Sequence, residues 1–369
     1  MRQFGHLPDV VNILGFRSTL TARASRIDKL EMKVLVLTNI FPRKRDPFSG
    51  TYVADQVASL KSLVEIQVVA KTYKPALGLL PFFVSSAWSI LTDHYDVVHA
   101  HYGFHSALVP ALISSKPLVV TFHGSDALSE PLRNAMYEAC QRKVIAAASH
   151  MIAVSDQIRN TLVTNLGAAS GRVSVIPCGV DTSRFAPRSK KAARSELGIP
   201  PQAKVALFVG RLEARKGVDL IKRVVDRFPH VQFYFIGHGP LRWNAPNCRF
   251  VGVLSHSEIP TYLNAADVLL LPSRSEGTPV SVLEALASEV PVLCTRVGAC
   301  PQLVQDGTTG MLMSRIDSDA LTEALHDCFG DTTFHMAIGR HMVINQYSLA
   351  PTAARIHDVY ATVLKERST

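Results

Sequence analysis

The chain reads as two doubly wound α/β domains facing each other across a cleft. Three observations predict this. Short apolar runs alternate with helix-length segments along nearly the whole sequence, which indicates βαβ units and parallel sheets. The runs fall into two series, separated by a polar stretch with three prolines. A length of 369 residues also exceeds one average domain. With 47% apolar and 19% charged residues, the composition supplies a large core and excludes a disordered chain.

Residues 1–31 are dotted with arginine and have no apolar segment of the secretory type, so they are expected to form an extension outside the fold. A helix docked on the domain is the alternative. At Met32 a buried-strand pattern begins abruptly. The first series of strands is expected at Lys33–Thr38, Glu65–Ala70, Val97–His99, Leu118–Phe122, Met151–Val154 and Val173–Ile176. Within it, Pro75 to Leu91 holds no charge. Seventeen residues with two prolines and a glycine are short and broken for a spanning helix. They fit a buried helix, or else a shallow membrane-contacting element. Asp181 to Lys204 is polar and basic and contains Pro187, Pro200 and Pro201, which marks a linker. The second series is expected at Val205–Val209, Gln232–Ile236, Arg249–Val251, Val268–Leu271, Val292–Cys294 and Met311–Met313. The boundaries are thus 1–31 for the extension, 32–183 for the first domain and 184–345 for the second.

The net charge is +9. Of the charged residues, 18 basic and 13 acidic precede position 183, and 21 and 17 follow it, so the excess is spread along the chain. Local clusters occur at Arg43-Lys44-Arg45 and from Arg184 to Arg194. Such a balance fits a phosphate-bearing substrate, an anionic membrane surface or nucleic acid. Nucleic acid is disfavoured, because no helix-turn-helix, zinc or aromatic RNA-binding signature accompanies the charge. Six cysteines without paired close spacing fit a reduced, cytoplasmic protein with neither a disulfide framework nor a zinc site.

The most informative segment for function is Ser-Glu-Gly-Thr-Pro-Val-Ser-Val-Leu-Glu-Ala-Leu-Ala at 275–287. A buried-strand pattern precedes it, and Gly277 and Pro279 fit a tight turn leading into a helix. Two glutamates eight apart near a helix are ordinarily solvated surface charge. Here, though, free backbone N–H groups at a helix start suit a phosphate, and carboxylates beside a phosphate are unfavourable unless they hold something else. Sugar hydroxyls are the natural partner for Glu276 and Glu284, since a carboxylate accepts two at once.

Other segments end strands at the same edge. Gly210-Arg211-Leu212 with Lys216-Gly217 places a guanidinium fork and a compact ammonium where a diphosphate needs neutralising. Gly237-His238-Gly239 is weak by itself, because turns explain many such patterns. Gly50 precedes a helix and permits close approach of a ligand to the backbone. In Thr121-Phe122-His123-Gly124-Ser125-Asp126, His123 can orient or polarise a hydroxyl, and Asp126 can fix a sugar or the imidazole. His99, His101 and His105 lie close in sequence. No carboxylate or thiolate completes a ligand set with them, so no metal is expected.

From Met32 onward the chain resembles the retaining glycosyltransferases of family 4, which have the GT-B fold. The resemblance rests on Thr-Phe-His-Gly-Ser-Asp at 121–126, Val-Ile-Pro-Cys-Gly-Val-Asp at 175–181, Gly210-Arg211-Leu212 with Lys216-Gly217, and the Glu276/Glu284 pair, in that order. It implies a nucleotide-diphosphate sugar donor held mainly by the second domain, and no metal or other cofactor. By this analogy Gly210, Arg211 and Lys216 hold the diphosphate and Glu284 the ribose. Glu276 contacts the transferred sugar, helped by backbone around Gly277, Thr278, Pro279 and Val280. Gly50 and His123 reach across from the first domain, with His101 and Asp126 on the acceptor side. A terminal helix, about 346–369, is expected to cross back onto the first domain.

The resemblance further implies transfer of a hexosyl unit to a glycan or polyprenyl-linked acceptor with retained configuration, and the basic balance fits a phosphate-bearing lipid carrier at the cytoplasmic face of the inner membrane. Pro75–Leu91 and Arg43–Arg45 are the expected membrane contacts. A UDP-sugar epimerase of the same fold is the competing enzyme. This chain departs from the usual pattern with Ser49 beside Gly50, Thr278 where phenylalanine is frequent, and Gln302 where an acid is frequent. These positions leave the donor sugar open.

Overall fold

The computed structural model describes residues 32–43, 48–71, 78–129, 135–330 and 332–368. The expected extension 1–31, Lys44, Arg45 and residues 75–77 lie outside the described residues. Two six-stranded, wholly parallel sheets form the framework. Both faces of each sheet are covered by helices, which is why the strands are continuous apolar runs rather than alternating ones.

In the first unit the strands are β1 (Lys33–Thr38), β2 (Glu65–Ala70), β3 (Val97–His101), β4 (Leu118–Phe122), β5 (His150–Ala153) and β6 (Val173–Val175). Their order is β2-β1-β3-β4-β5-β6. The helices are α1 (Thr51–Leu60), α2 (Leu80–Thr92), α3 (Gly103–Ile113), the single turn α4 (Ser125–Leu128), α5 (Ala135–Ala147) and α6 (Asp156–Asn160). Ser155 caps α6 by accepting from the Ile158 N–H. Phe82, Ala107 and Val144 from α2, α3 and α5 share one core on one side of the sheet. Val53 and Val57 of α1 belong to the core on the other side.

The second unit begins with α7 (Lys190–Glu196). Its strands are β7 (Lys204–Val209), β8 (Val231–Ile236), β9 (Cys248–Gly252), β10 (Val268–Leu271), β11 (Val292–Thr295) and β12 (Gly310–Met313), in the order β12-β11-β10-β7-β8-β9. Between and after them run α8 (Val218–Val224), α9 (Ile259–Ala265), α10 (Val280–Ala287), α11 (Cys300–Leu303), α12 (Ser318–Phe329), α13 (Met336–Met342) and α14 (Leu349–Ser368). Asp317 caps α12, accepting from the N–H groups of Asp319 and Ala320.

Every expected strand is present, with ends shifted by at most two residues. The stretch 181–204, expected as the linker, is partly helical. It contains α7, whose buried Arg194 donates to Asp267 at 2.8 Å and to the Ala265 carbonyl at 3.0 Å. Those bonds attach it to the second sheet. The terminal helix α14 packs back on the first unit, where Ala353, Ile356, Val359 and Tyr360 join the α1 core. In each sheet the strand order reverses beside the first strand, β1 or β7. Ligands in such sheets bind outside the carboxyl ends of strands at that point, and there the two units face each other.

Candidate active site

A cleft of about 620 Å³ lies between the carboxyl edges of the two sheets. Gly50, His123, Gly210, Arg211, Lys216, Glu276, Gly277, Thr278, Pro279, Val280 and Glu284 all line it, although they come from distant parts of the chain. His101 and Asp126 do not line it and lie one layer behind.

The second unit supplies the charges. After β7 the chain turns through Gly210 and a single 3-10 turn, Ala214–Lys216, before entering α8. Lys216 leaves this turn and donates to both oxygens of Glu276, at 2.7 and 2.8 Å. Ser273 donates to the same carboxylate at 2.6 Å. Glu276 is therefore buried but well partnered. Arg211 is largely exposed, with only a 3.3 Å contact to Glu213, so its fork can move to an anion in the cleft.

Glu284 lies on α10 inside the wall and accepts from His256 Nε2 at 2.6 Å. Burial raises its pKa, partly offset by the hydrogen bond and charge of His256. For His256, burial alone would lower the pKa, but the Glu284 bond and the charges of Glu284 and Asp55 outweigh it and the net shift is upward. The other ring nitrogen of His256 is 2.8 Å from Arg184, which also approaches Asp55 of α1 at 3.4 Å. A charged network thus crosses the cleft rim.

The first unit presents a mostly neutral wall. Asp126 binds its own loop, accepting from the N–H groups of Gly124 at 2.8 Å, His123 at 3.0 Å and Gly103 at 3.0 Å. It fixes the turn that carries His123 rather than meeting the cleft. On β3, His99 and His101 point to one face, as the two-residue period requires. His99 bridges Tyr360 Oη at 2.6 Å and Thr121 Oγ1 at 2.7 Å. His101 Nδ1 meets His123 Nε2 at 3.0 Å, and Cys178 Sγ lies 4.0 Å from the other His123 nitrogen. Burial lowers the His101 pKa to about 3 and holds those of His99 and His123 well below the usual value. Burial thus favours the neutral form of all three rings, in which His123 can hydrogen-bond through either nitrogen.

The units touch closely around Gly277. A Cβ there would lie 2.2 Å from the His123 carbonyl oxygen, so only glycine allows the approach. Gly50 has a φ of 74° and packs against the Ile40 carbonyl, where a Cβ would come within 2.6 Å. Its conformation is thus demanded by the loop before α1. Thr278 turns its hydroxyl to the Val154 carbonyl of the first unit. Gln302 bonds Asp156 at 3.1 Å, outside the cleft lining, and Gly298 N–H donates to Gln157 at 2.9 Å. Two positions where the chain departs from the usual pattern therefore join the units, Thr278 at the cleft wall and Gln302 outside it.

Sequence reasoning missed His256, Tyr52 and Tyr102. The two phenols meet at 2.5 Å, and both rings lie against His123, with centroids 5.1 and 4.9 Å away. Tyr102 has a φ of 76°, an unusual conformation for a tyrosine and the kind found at binding sites. The signal was available in position only: Tyr102 and His256 follow strands at their carboxyl ends, and Tyr52 opens α1 beside Gly50. Among the described residues no three His, Cys, Asp or Glu side chains converge to hold a metal ion.

Comparison with known proteins agrees with this geometry. Residues 22–184 match the model "Glycosyltransferase Family 4" and residues 203–331 match "Glycosyl transferases group 1". The chain is 27% identical over 390 aligned positions to a Bacillus subtilis (strain 168) protein named for teichuronic acid biosynthesis, the glycosyltransferase TuaC, covering 90% of this chain and 99% of that one. It is 30% identical to the D-inositol 3-phosphate glycosyltransferase of Mycobacterium tuberculosis (strain ATCC 25177 / H37Ra), over 64% of this chain and 55% of that one. Among solved structures, the sucrose-phosphate synthase of Thermosynechococcus elongatus is similar with a TM-score of 0.77 at 20% identity, covering 91% and 100% of the two chains. Anabaena HepE in complex with UDP-glucose gives 0.75 at 17% identity, covering 90% and 100%.

Proposed function

The chain belongs to the family 4 glycosyltransferases and has their GT-B fold, and from that premise we propose a retaining hexosyl transfer from a nucleotide-diphosphate sugar to a glycan or polyprenyl-linked acceptor. The observation that carries this reading is the union in one cleft of Arg211 and Lys216 with the buried carboxylates Glu276 and Glu284, opposite His123. Two cations at a strand end suit a diphosphate. Two partnered, buried carboxylates suit hydroxyl groups. The complex of the similarly folded HepE with UDP-glucose supports a donor of this class. The likeness to a protein named for teichuronic acid biosynthesis supports a role in polysaccharide biosynthesis.

In this reading the bond between the anomeric carbon and the diphosphate oxygen breaks, and the electron pair leaves with the diphosphate. Arg211 and Lys216 meet the growing negative charge, so no metal ion is called for. The acceptor oxygen attacks from the face the diphosphate vacates, which retains configuration, and its proton passes to the leaving phosphate oxygen. Glu276 orients the sugar and Glu284 the ribose. His123, neutral and fixed from behind, limits the approach on the acceptor side.

A thermal-shift screen with UDP, GDP and ADP tests the donor, since stabilisation follows binding. One nucleotide should raise Tm clearly above the others. Transfer is then followed with the corresponding sugar, and the anomer is read by NMR. An inverted product would overturn the retaining step. Epimerisation without acceptor would favour the epimerase instead.

A further inference from the structure

We propose that the outer face of α2, together with the exposed ends of α3 and α5, docks the protein on an anionic phospholipid bilayer. Helix α2 buries Phe82, Ser86, Ser89 and Ile90 against the sheet. Its opposite side should then be polar. Instead Leu80, Val84, Trp88 and Leu91 are 70, 62, 70 and 73% exposed. Their spacing of four, four and three residues sets them in one stripe along the helix. Leu112 and Ile113 at the end of α3 and Met136 on α5 extend the apolar surface across the same helical layer. No Asp, Glu, Lys or Arg occurs from Gly78 to Thr92 or from Val97 to Ser115.

Charge selects the occupant. Lys116, just after α3, and Lys143, two turns from Met136 on the same side of α5, are exposed and have no ion pair among the described residues. Of the acids nearby, Glu138 pairs with Arg142, while Asp93 and Asp96 keep their charge and accept from the neutral Gln67 amide at 2.7 Å and the Lys33 N–H at 2.8 Å, at the ends of the α2 and β3 connection. An apolar stripe with a central tryptophan and uncompensated lysines complements acyl chains below and anionic headgroups above. No helix among the described residues is long and apolar enough to cross a membrane, so the contact is peripheral. The face stands apart from the cleft residues, and its role does not depend on the transfer reaction.

The chain has two tryptophans, Trp88 on this face and Trp243 packed against Phe235 and Phe250. In a full-length Trp243→Phe variant, Trp88 reports the contact alone. With phosphatidylcholine vesicles containing phosphatidylglycerol, its emission should shift to the blue and be quenched by lipids brominated on their acyl chains. Vesicle co-sedimentation should fall at least about tenfold in Val84→Ser/Trp88→Ser/Leu91→Ser, with the Tm retained because these side chains are already exposed. Lys116→Glu/Lys143→Glu should weaken binding to the anionic vesicles only. An unshifted Trp88 emission with no sedimentation overturns the proposal. So does a lipid-free dimer that the triple variant abolishes, which would assign the face to a second copy of the chain.

Discussion

The ammonium of Lys216 lies between the two carboxylate oxygens of Glu276, at 2.7 and 2.8 Å. The groups are 60 residues apart in the chain and lie at the ends of neighbouring strands, β7 and β10. In the free protein each neutralises the other. In the proposed reaction, a diphosphate arriving at Lys216 would take over the cation and leave Glu276 to the sugar, so that donor binding would prepare the carboxylate for its contact.

Replacing Lys216 with alanine should lower kcat/KM by about 10²–10³, because charge on the leaving group then goes unanswered. Lys222→Ala, remote from the cleft on α8, should stay within about threefold. Steady-state kinetics on both variants make the comparison, and equal small losses would remove Lys216 from the reaction.

Glu276→Gln acts on the other half of the pair. Transfer should fall by about 10² or more, while free nucleoside diphosphate binds as well as before or more tightly, since Lys216 loses its internal competitor. Calorimetric titration with the nucleotide reads this directly. A collapse of nucleotide affinity would mean that the roles of Glu276 and Glu284 are wrongly divided.

The bond from His256 to Glu284 predicts a pH dependence of stability. The pKa of His256 is raised in the folded state, so its contribution is complete below the unfolded value and is lost as pH rises through the folded one. His256→Gln should therefore cost roughly 1–3 kcal/mol near pH 6 and progressively less in alkaline solution. Thermal unfolding across that range checks the sign. A loss independent of pH would show that the bond is not charge-assisted.

Thr278→Val removes the hydroxyl that reaches the Val154 carbonyl and leaves that acceptor without its partner. Unfolding free energy should drop by roughly 1–3 kcal/mol. The ranking of donor sugars should not change, because the hydroxyl is committed to the Val154 carbonyl although the residue lines the cleft. A changed ranking in a donor competition assay would return Thr278 to specificity.

Much of the fold was legible because parallel strands buried on both faces must be apolar, and the glycines and prolines between them mark the turns. Arg211, Lys216 and Glu276 were legible for a related reason: charged residues in the loops after such strands are placed at the ligand edge, and Glu284 follows on the helix that the second of those loops enters. His256 follows β9 in the same way, but its loop, Ser255-His256-Ser257-Glu258, looks like ordinary solvated polarity. Only its 2.6 Å contact with Glu284 sets it apart. Asp126 illustrates the opposite failure. Its place beside His123 suggested a contact with a sugar or with the imidazole, whereas its carboxylate accepts from three backbone N–H groups, that of His123 among them.

By itself, then, the sequence determined two parallel α/β units, the strand ends that form the cleft, and the charges set there, because these follow from local periodicity and position along a strand. Tertiary structure alone decided which charges meet. It paired Lys216 with Glu276 and His256 with Glu284, turned Thr278 and Gln302 toward the partner unit, and left one face of α2 apolar and uncovered. Those outcomes depend on distances between segments far apart in the chain, which no local pattern specifies.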